Sequence, residues 1–200
     1  MVPVRGTATS KTRLSLAGVD SSALAAAFGL DVVDAAVHAS HVRRVVVTTA
    51  SPYLAAAAAA KGAVTIVDDA PGHLNDVVLR AVDRVRALDP RSDVAVLVGD
   101  VATITPSDLD EALAIADEYS LAFIADREGV GTVMLTARRG LPHQPCFGGP
   151  SRISHRAWGY RELAIDRTAR VRHDIDTADD LALALERGVG SEVRRVLERA

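Results

Sequence analysis

The chain has 200 residues, 48% of them apolar and 24% charged, with a net charge of −3. That length supports one domain with its own core, and the balance excludes general disorder and a basic nucleic-acid footprint. A single cysteine, Cys146, excludes an internal disulfide framework and suits a reducing cytoplasm.

The start, MVPVRGTATSKTRL, lacks the apolar run of a signal peptide. No uninterrupted apolar run of about 18 residues follows, so neither membrane nor nucleic acid is expected as a partner. Residues 2–4 read as a short strand. Next come Arg5-Gly6-Thr7-Ala8-Thr9-Ser10-Lys11-Thr12-Arg13, small hydroxyl residues with three cations. Backbone N–H groups and cations there can cradle a triphosphate, and a solvated polar tail explains the composition equally well. The Gly-x4-Gly-Lys-Ser/Thr spacing of a P-loop is absent.

Residues 20–40, 52–61, 74–88 and 106–119 have helical spacing of Ala, Val and Leu. The alanine run 55–60 reads as a helix packed closely on a sheet. Thr105 is an N-cap, with Pro106 at the first helical position. Residues 45–49, 64–67, 94–98, 121–125 and 132–136 are continuous apolar runs, as in strands covered on both faces. The alternation predicts an α/β fold, one domain over residues 1–200, with a mostly parallel sheet between helical layers.

Residues 94–98 end in Gly99-Asp100. Ligands of open α/β sheets sit beyond the carboxyl ends of strands, where Asp100 stands, although turn aspartates after glycine are common. Asp126-Arg127-Glu128-Gly129-Val130-Gly131 joins two strands, either as a tight hairpin or as a backbone approach to a ligand. Residues 138–161 hold so many glycines and prolines that no regular element is expected, only a long loop. Within it, Ser151, Arg152 and His155 form a donor set able to grip a small phosphorylated acid, and a solvated loop is the bland alternative. Cys146 is expected to be a packing residue and Trp158 a loop anchor.

Residues 171–177 are expected to be a strand with Asp174 and Asp176 on one side and His173 on the other. Two carboxylates that close repel, and a hard cation such as Mg²⁺ relieves the repulsion while also taking substrate phosphates. Alone, the pair is read more simply as a strand end before the helix cap Thr177-Ala178-Asp179-Asp180. A third converging carboxylate, Asp100, would make a metal site far more specific. Residues 191–200 close the chain as a short helix.

In order, these segments resemble the 2-phospho-L-lactate or phosphoenolpyruvate guanylyltransferase family of coenzyme F-420 biosynthesis. Pro3-Val4-Arg5 and Lys11-Thr12-Arg13-Leu14 look like its Pro-Val-Lys and Ala-Lys-Ser/Thr-Arg-Leu. Leu74-Asn75, Gly99-Asp100 and Ala125-Asp126-Arg127 with Gly129-Val130-Gly131-Thr132 match in turn. Phe147-Gly148, Ser151 and His155 keep Phe-Gly-x-x-Ser-x-x-x-His, and Asp174-Ile175-Asp176-Thr177 is similar to Asp-Val-Asp-Thr. The chain departs from the family pattern at Arg5, Val101-Ala102, Val130, Gly149-Pro150 and Ala178.

The resemblance implies a single-domain, three-layer nucleotidyltransferase fold, A-type glycosyltransferase-like and Rossmann-like. It implies Mg²⁺ held by Asp100, Asp174 and Asp176, and a phosphorylated carboxylic acid held by Thr132, Gly148 and Ser151. Arg5, Lys11, Arg13, Asn75 and Asp100 would serve GTP, with Lys11, Arg13 and Asp100 catalytic. The implied reaction is attack of the acid's phosphate on the α-phosphorus of GTP, and the downstream transferase of the pathway is an expected partner. A different phosphorylated acceptor, such as 3-phosphoglycerate, or a catalytically weak nucleotide-binding role are the alternatives.

Overall fold

The computed structural model describes residues 1–4, 14, 18–68, 70 and 72–199. Strands β1 (Val2–Pro3), β2 (Val46–Thr49) and β3 (Val64–Val67) pair in parallel, with Val47 between Val2 and Thr65. Strand β6 (Thr132–Ala137) runs antiparallel between β4 (Val94–Leu97) and β5 (Leu121–Ala125), and β7 (Arg161–Glu162) adds in parallel to β5. The two groups join at Met1. Its amino group donates to the Ala95 carbonyl (2.6 Å), and its carbonyl accepts from the Leu97 N–H (3.0 Å). One residue bonding both neighbours of its opposite number is the parallel pattern. The strand order is therefore β3-β2-β1-β4-β6-β5-β7.

The expected mostly parallel sheet is found, parallel from β3 to β4, and the hairpin reading of residues 126–131 accounts for the antiparallel β6. Only residues 126–131 separate β5 from β6, too few for a parallel crossover, so the chain turns back as a hairpin. Side-chain alternation builds the layers. Ala122 and Ile124 of β5 enter the main core, with helix α1 (Ser21–His38), α2 (Pro52–Ala60) and α4 (Pro106–Ala116). Phe123 and Ala125 face the other way, with Val94, Val96 and Leu135, onto Val78 and Val82 of α3 (Leu74–Leu88). β3 is an edge, and its Val64 and Val67 are exposed, unlike the strands covered on both faces.

α1 has the length and hydropathy to cross a bilayer, but its Leu24, Phe28, Val32 and Val33 are buried in the protein core. Its buried Asp31 accepts from the Glu192 and Val193 N–H groups (3.0 and 3.1 Å), capping α7 (Ser191–Leu197) across the chain. Two further expectations are corrected. The proline- and glycine-rich segment contains a short helix, α5 (Ser151–Ala157). It forms because Pro150 ends the glycine-dense stretch and no breaker follows until Gly159. Residues 171–177 are not a strand: Arg170–Arg172 closes a 3-10 turn, and residues 173–176 pair with no strand. The expected alternation survives, with His173 and Ile175 buried, Asp174 half-buried and Asp176 exposed. Helix α6 (Ala178–Arg187) follows, capped by Thr177 and Asp180.

Candidate active site

The carboxyl ends of β1 to β5 and the start of β6 share one rim of the sheet, because β5 and β4 both oppose β6. Asp100, Asp126 and Thr132 stand there. The Ile175 N–H donates to the Asp100 carbonyl (3.1 Å), and the Ile175 side chain is fully buried against α1 and α6 with Phe28, Ala102 and Leu181. That anchor brings the segment carrying Asp174 and Asp176 to the Asp100 backbone. A second tie comes from Arg172. Its guanidinium donates to the Asp126 carbonyl (Nε 3.1 Å, Nη2 2.7 Å) and the Ile165 carbonyl (2.9 Å).

Crowding at this end is electrostatic. The Asp174 carboxyl is pushed up to about 8, by burial first and then by the negative charges of Asp100, Asp176 and Asp126. Among the described residues, no group of three or more His, Cys, Asp or Glu side chains stands ready to hold a metal ion. Asp100, Asp174 and Asp176 are thus brought within electrostatic reach without closing into a protein-only cage.

Asp126 is a neighbour that sequence reasoning missed as a carboxylate of this cluster. Its side chain accepts from the Val130 and Gly131 N–H groups (2.9 and 2.6 Å) and so shapes the hairpin that delivers Thr132. The signal was present in Ala125-Asp126-Arg127 before two glycines. Asp180 belongs to a helix cap instead, accepting from the Thr177 N–H and hydroxyl (3.0 and 2.7 Å).

The other end of the rim is built from hydroxyls and aromatic rings. Ser151 Oγ lies 3.2 Å from Thr132 Oγ1, and Thr132 Oγ1 lies 2.8 Å from His155 Nδ1. His155 Nε2 accepts from the Cys146 N–H (3.0 Å). All three side chains are buried. Phe123, Phe147 and Tyr160 surround the imidazole with centroids 5.5–5.8 Å away. Burial lowers the His155 pKa to about 4, so the ring is neutral at neutral pH.

The Asn75 side chain pairs with both backbone groups of Phe147, donating to its carbonyl (3.1 Å) and accepting from its N–H (2.8 Å). The family resemblance gave Asn75 to GTP. The structure makes it the clamp between α3 and the Phe147-Gly148 loop. Gly148 follows at φ +98°, exposed, with nothing within 4 Å of where a Cβ would stand. A left-handed backbone open to solvent leaves its surroundings to a ligand.

Arg5, Lys11 and Arg13 lie outside the described residues. Cys146 is half-buried and contributes its backbone. Trp158 is 55% exposed at the end of α5, not the buried loop anchor expected. The reason is that His155 and Tyr160 fill the interior on either side of it. His173 is buried with neither ring nitrogen hydrogen-bonded among the described residues, consistent with a structural position facing away from the aspartates.

Residues 1–199 match the family model described as "Guanylyl transferase CofC like". A phosphoenolpyruvate guanylyltransferase of Thermomonospora curvata is 38% identical, over all of this chain and 88% of its own. A protein of Desulfovibrio desulfuricans G20 assigned as a nucleotide-diphospho-sugar transferase is similar in structure, with a TM-score of 0.68 and 16% identity over 98% of this chain and 92% of that one. Rv0371c of Mycobacterium tuberculosis, solved with manganese, has a TM-score of 0.51 and 22% identity over 92% and 96% of the two chains.

Proposed function

The chain belongs to the CofC-like guanylyl transferases, and from that premise we propose that it transfers GMP from GTP to phosphoenolpyruvate. The relative from Thermomonospora curvata carries that activity in its name, which favours phosphoenolpyruvate over 2-phospho-L-lactate. Coenzyme F-420 biosynthesis in the cytoplasm is the setting the family resemblance implies, with the downstream transferase as the partner that takes the product.

The observation that carries this reading is the pairing of two unlike half-sites on one rim. One is a crowd of carboxylates around Asp174. The other is a buried hydroxyl pair, Thr132 and Ser151, beside an open glycine turn. Carboxylate oxygens are the donor set of a hard divalent cation, and Mg²⁺ is commonly held by one or two carboxylates plus substrate phosphates. Asp100, Asp174 and Asp176 would hold the ion. When bound, it neutralises phosphate charge and activates the α-phosphorus.

The remaining work falls to the protein's own residues. Thr132, Ser151 and the Gly148 N–H bind the acid, and Arg5, Lys11 and Arg13 bind the GTP phosphates. Asn75 holds the acid loop and keeps one N–H and one carbonyl lone pair for the nucleotide. The acid's phosphate is ionised at neutral pH, so one of its oxygens attacks the α-phosphorus without a general base. The bond to the β-phosphate breaks, and pyrophosphate leaves with its electrons. Rate enhancement then comes from orientation and charge neutralisation.

Of the departures from the family pattern, Arg5 falls among the residues assigned to GTP, and two others keep clear of the assigned side chains. Val101 and Ala102 are buried in the core, whereas Gly149 and Pro150 are exposed at the loop surface. Pyrophosphate release from GTP and Mg²⁺ with phosphoenolpyruvate, 2-phospholactate and 3-phosphoglycerate tests the reading. Release is expected with phosphoenolpyruvate foremost, and release with none of them refutes it.

A further inference from the structure

We infer that His155 is a positioning residue: through its fixed tautomer, it makes the Thr132–Ser151 hydroxyl pair a donor toward the acid's anionic oxygens. The inference rests on the assignment of Thr132 and Ser151 to the acid under Proposed function.

The argument is a count of protons. A backbone N–H can only donate, so the Cys146 N–H bonded to Nε2 (3.0 Å) requires that nitrogen to be unprotonated. A neutral imidazole with a bare Nε2 carries its proton on Nδ1. Nδ1–H therefore donates to Thr132 Oγ1 at 2.8 Å. The two hydroxyls own two protons, and the 3.2 Å bond between Thr132 and Ser151 uses one of them. The other has no taker within the trio and is left for a ligand.

In the opposite tautomer the count reverses. Nδ1 would accept the Thr132 proton, Thr132 would accept the Ser151 proton, and no donor would remain. An ionised carboxylate or phosphate is acceptor-only, so the first tautomer suits an anion and the second opposes it.

The surroundings enforce the first tautomer. Phe123, Phe147 and Tyr160 enclose the ring, which is inaccessible to solvent, and this disfavours the imidazolium. The Cys146 backbone is itself held, because the next residue, Phe147, is paired to Asn75. The bond to Cys146 thus fixes the ring and the approach to Gly148 together. Nothing in the spacing of Thr132 and His155, 23 residues apart, announces this link.

Two arms test it on the full chain. Nitrogen NMR of histidine-labelled protein at pH 7 is expected to show His155 neutral, with Nδ1 protonated and Nε2 bare. An Nε2–H tautomer, or an imidazolium, overturns the inference. In kinetics, His155→Leu is expected to raise KM for phosphoenolpyruvate roughly 10- to 100-fold, the size of a lost hydrogen bond to an ion, with KM for GTP within about twofold. His155→Asn, whose amide can reach the Nδ1 position as a donor, should recover most of that loss.

A KM for the acid unchanged in His155→Leu overturns the inference. So does an Asn variant as impaired as the Leu variant, since bulk packing alone would then explain both. Should the Leu variant not fold, the NMR arm decides. A wild-type chain releasing pyrophosphate with no acid overturns the reading under Proposed function, whereas the wrong tautomer in an active enzyme overturns only this inference.

Discussion

The two half-sites on the rim are opposites in how they are satisfied. Around Thr132, Ser151 and His155, hydrogen bonds run from one backbone N–H through a ring to two hydroxyls, inside an aromatic shell. Around Asp174, like charges are pressed together, and the carboxyl responds by holding its proton up to about pH 8. A satisfied half-site is ready for its ligand as it stands. A crowded one is finished only when positive charge arrives. On the function proposed above, the first would bind the small anion and the second the cation with polyphosphate.

The contrast breaks most severely at Asp174. Asp174→Asn removes a proposed cation ligand and should lower turnover by about a thousandfold, measured as pyrophosphate release. Because the amide is neutral without having to take up a proton on folding, melting in metal-free buffer should occur at the same or a higher temperature. A variant with full activity would dissolve the distinction between the half-sites.

The satisfied end has its own signature in pH. His155 there and His143, which lies away from the rim beside the Val94 carbonyl at the start of β4, are both buried, and burial holds each down to about 4 from the ordinary 6.5. The unfolded chain therefore binds more protons than the folded one between those values. Stability is fully present above pH 6.5 and falls as pH drops toward 4, by up to about 3 kcal/mol per histidine. Denaturant melts from pH 7.5 to 4 should show that slope, and it should lessen in His155→Leu. Asp174, which holds its proton in the fold up to about pH 8, pulls the other way over this range, so the His155 contribution is read as the difference between the two profiles, and identical profiles would mean that its ring is not desolvated.

A smaller effect tests the hairpin that links the two ends. A Cβ on Gly131 would collide with the Asp126 carboxylate, so Gly131→Ala should cost about 1–3 kcal/mol and raise KM for the acid by displacing Thr132. The mildest change is Asn75→Ala. It removes two hydrogen bonds to Phe147 and should weaken acid binding by about tenfold while leaving the fold intact. Equal kinetics in the Ala variant would show that the loop holds its shape without the clamp.

What was legible in the sequence follows from range. Strands and helices came from local periodicity, and Asp174-Ile175-Asp176 was visible because alternation over three residues needs no partner. The antiparallel direction of β6 was legible not in the strand's own residues but in the short connection before it, read as a tight hairpin. α5 was hidden by the glycines and prolines in front of it. The bond from Ile175 to Asp100, the clamp from Asn75 to Phe147 and the link from Thr132 to His155 join residues far apart in the chain. No local pattern encodes such pairs, so the motifs named the residues while the fold supplied their connections. Asn75 shows the gap most clearly, since the motif marked it and only the structure showed what it holds.

The central claim is that the carboxylate end is completed by a divalent cation together with the nucleotide. The direct measurement is anomalous diffraction from crystals grown with Mn²⁺ and a non-hydrolysable GTP analogue. The expected result is one manganese peak about 2.1–2.2 Å from an oxygen of Asp100 and of Asp174 or Asp176, with phosphate oxygens completing the shell. A bound nucleotide with its metal elsewhere, or with none, would contradict the account.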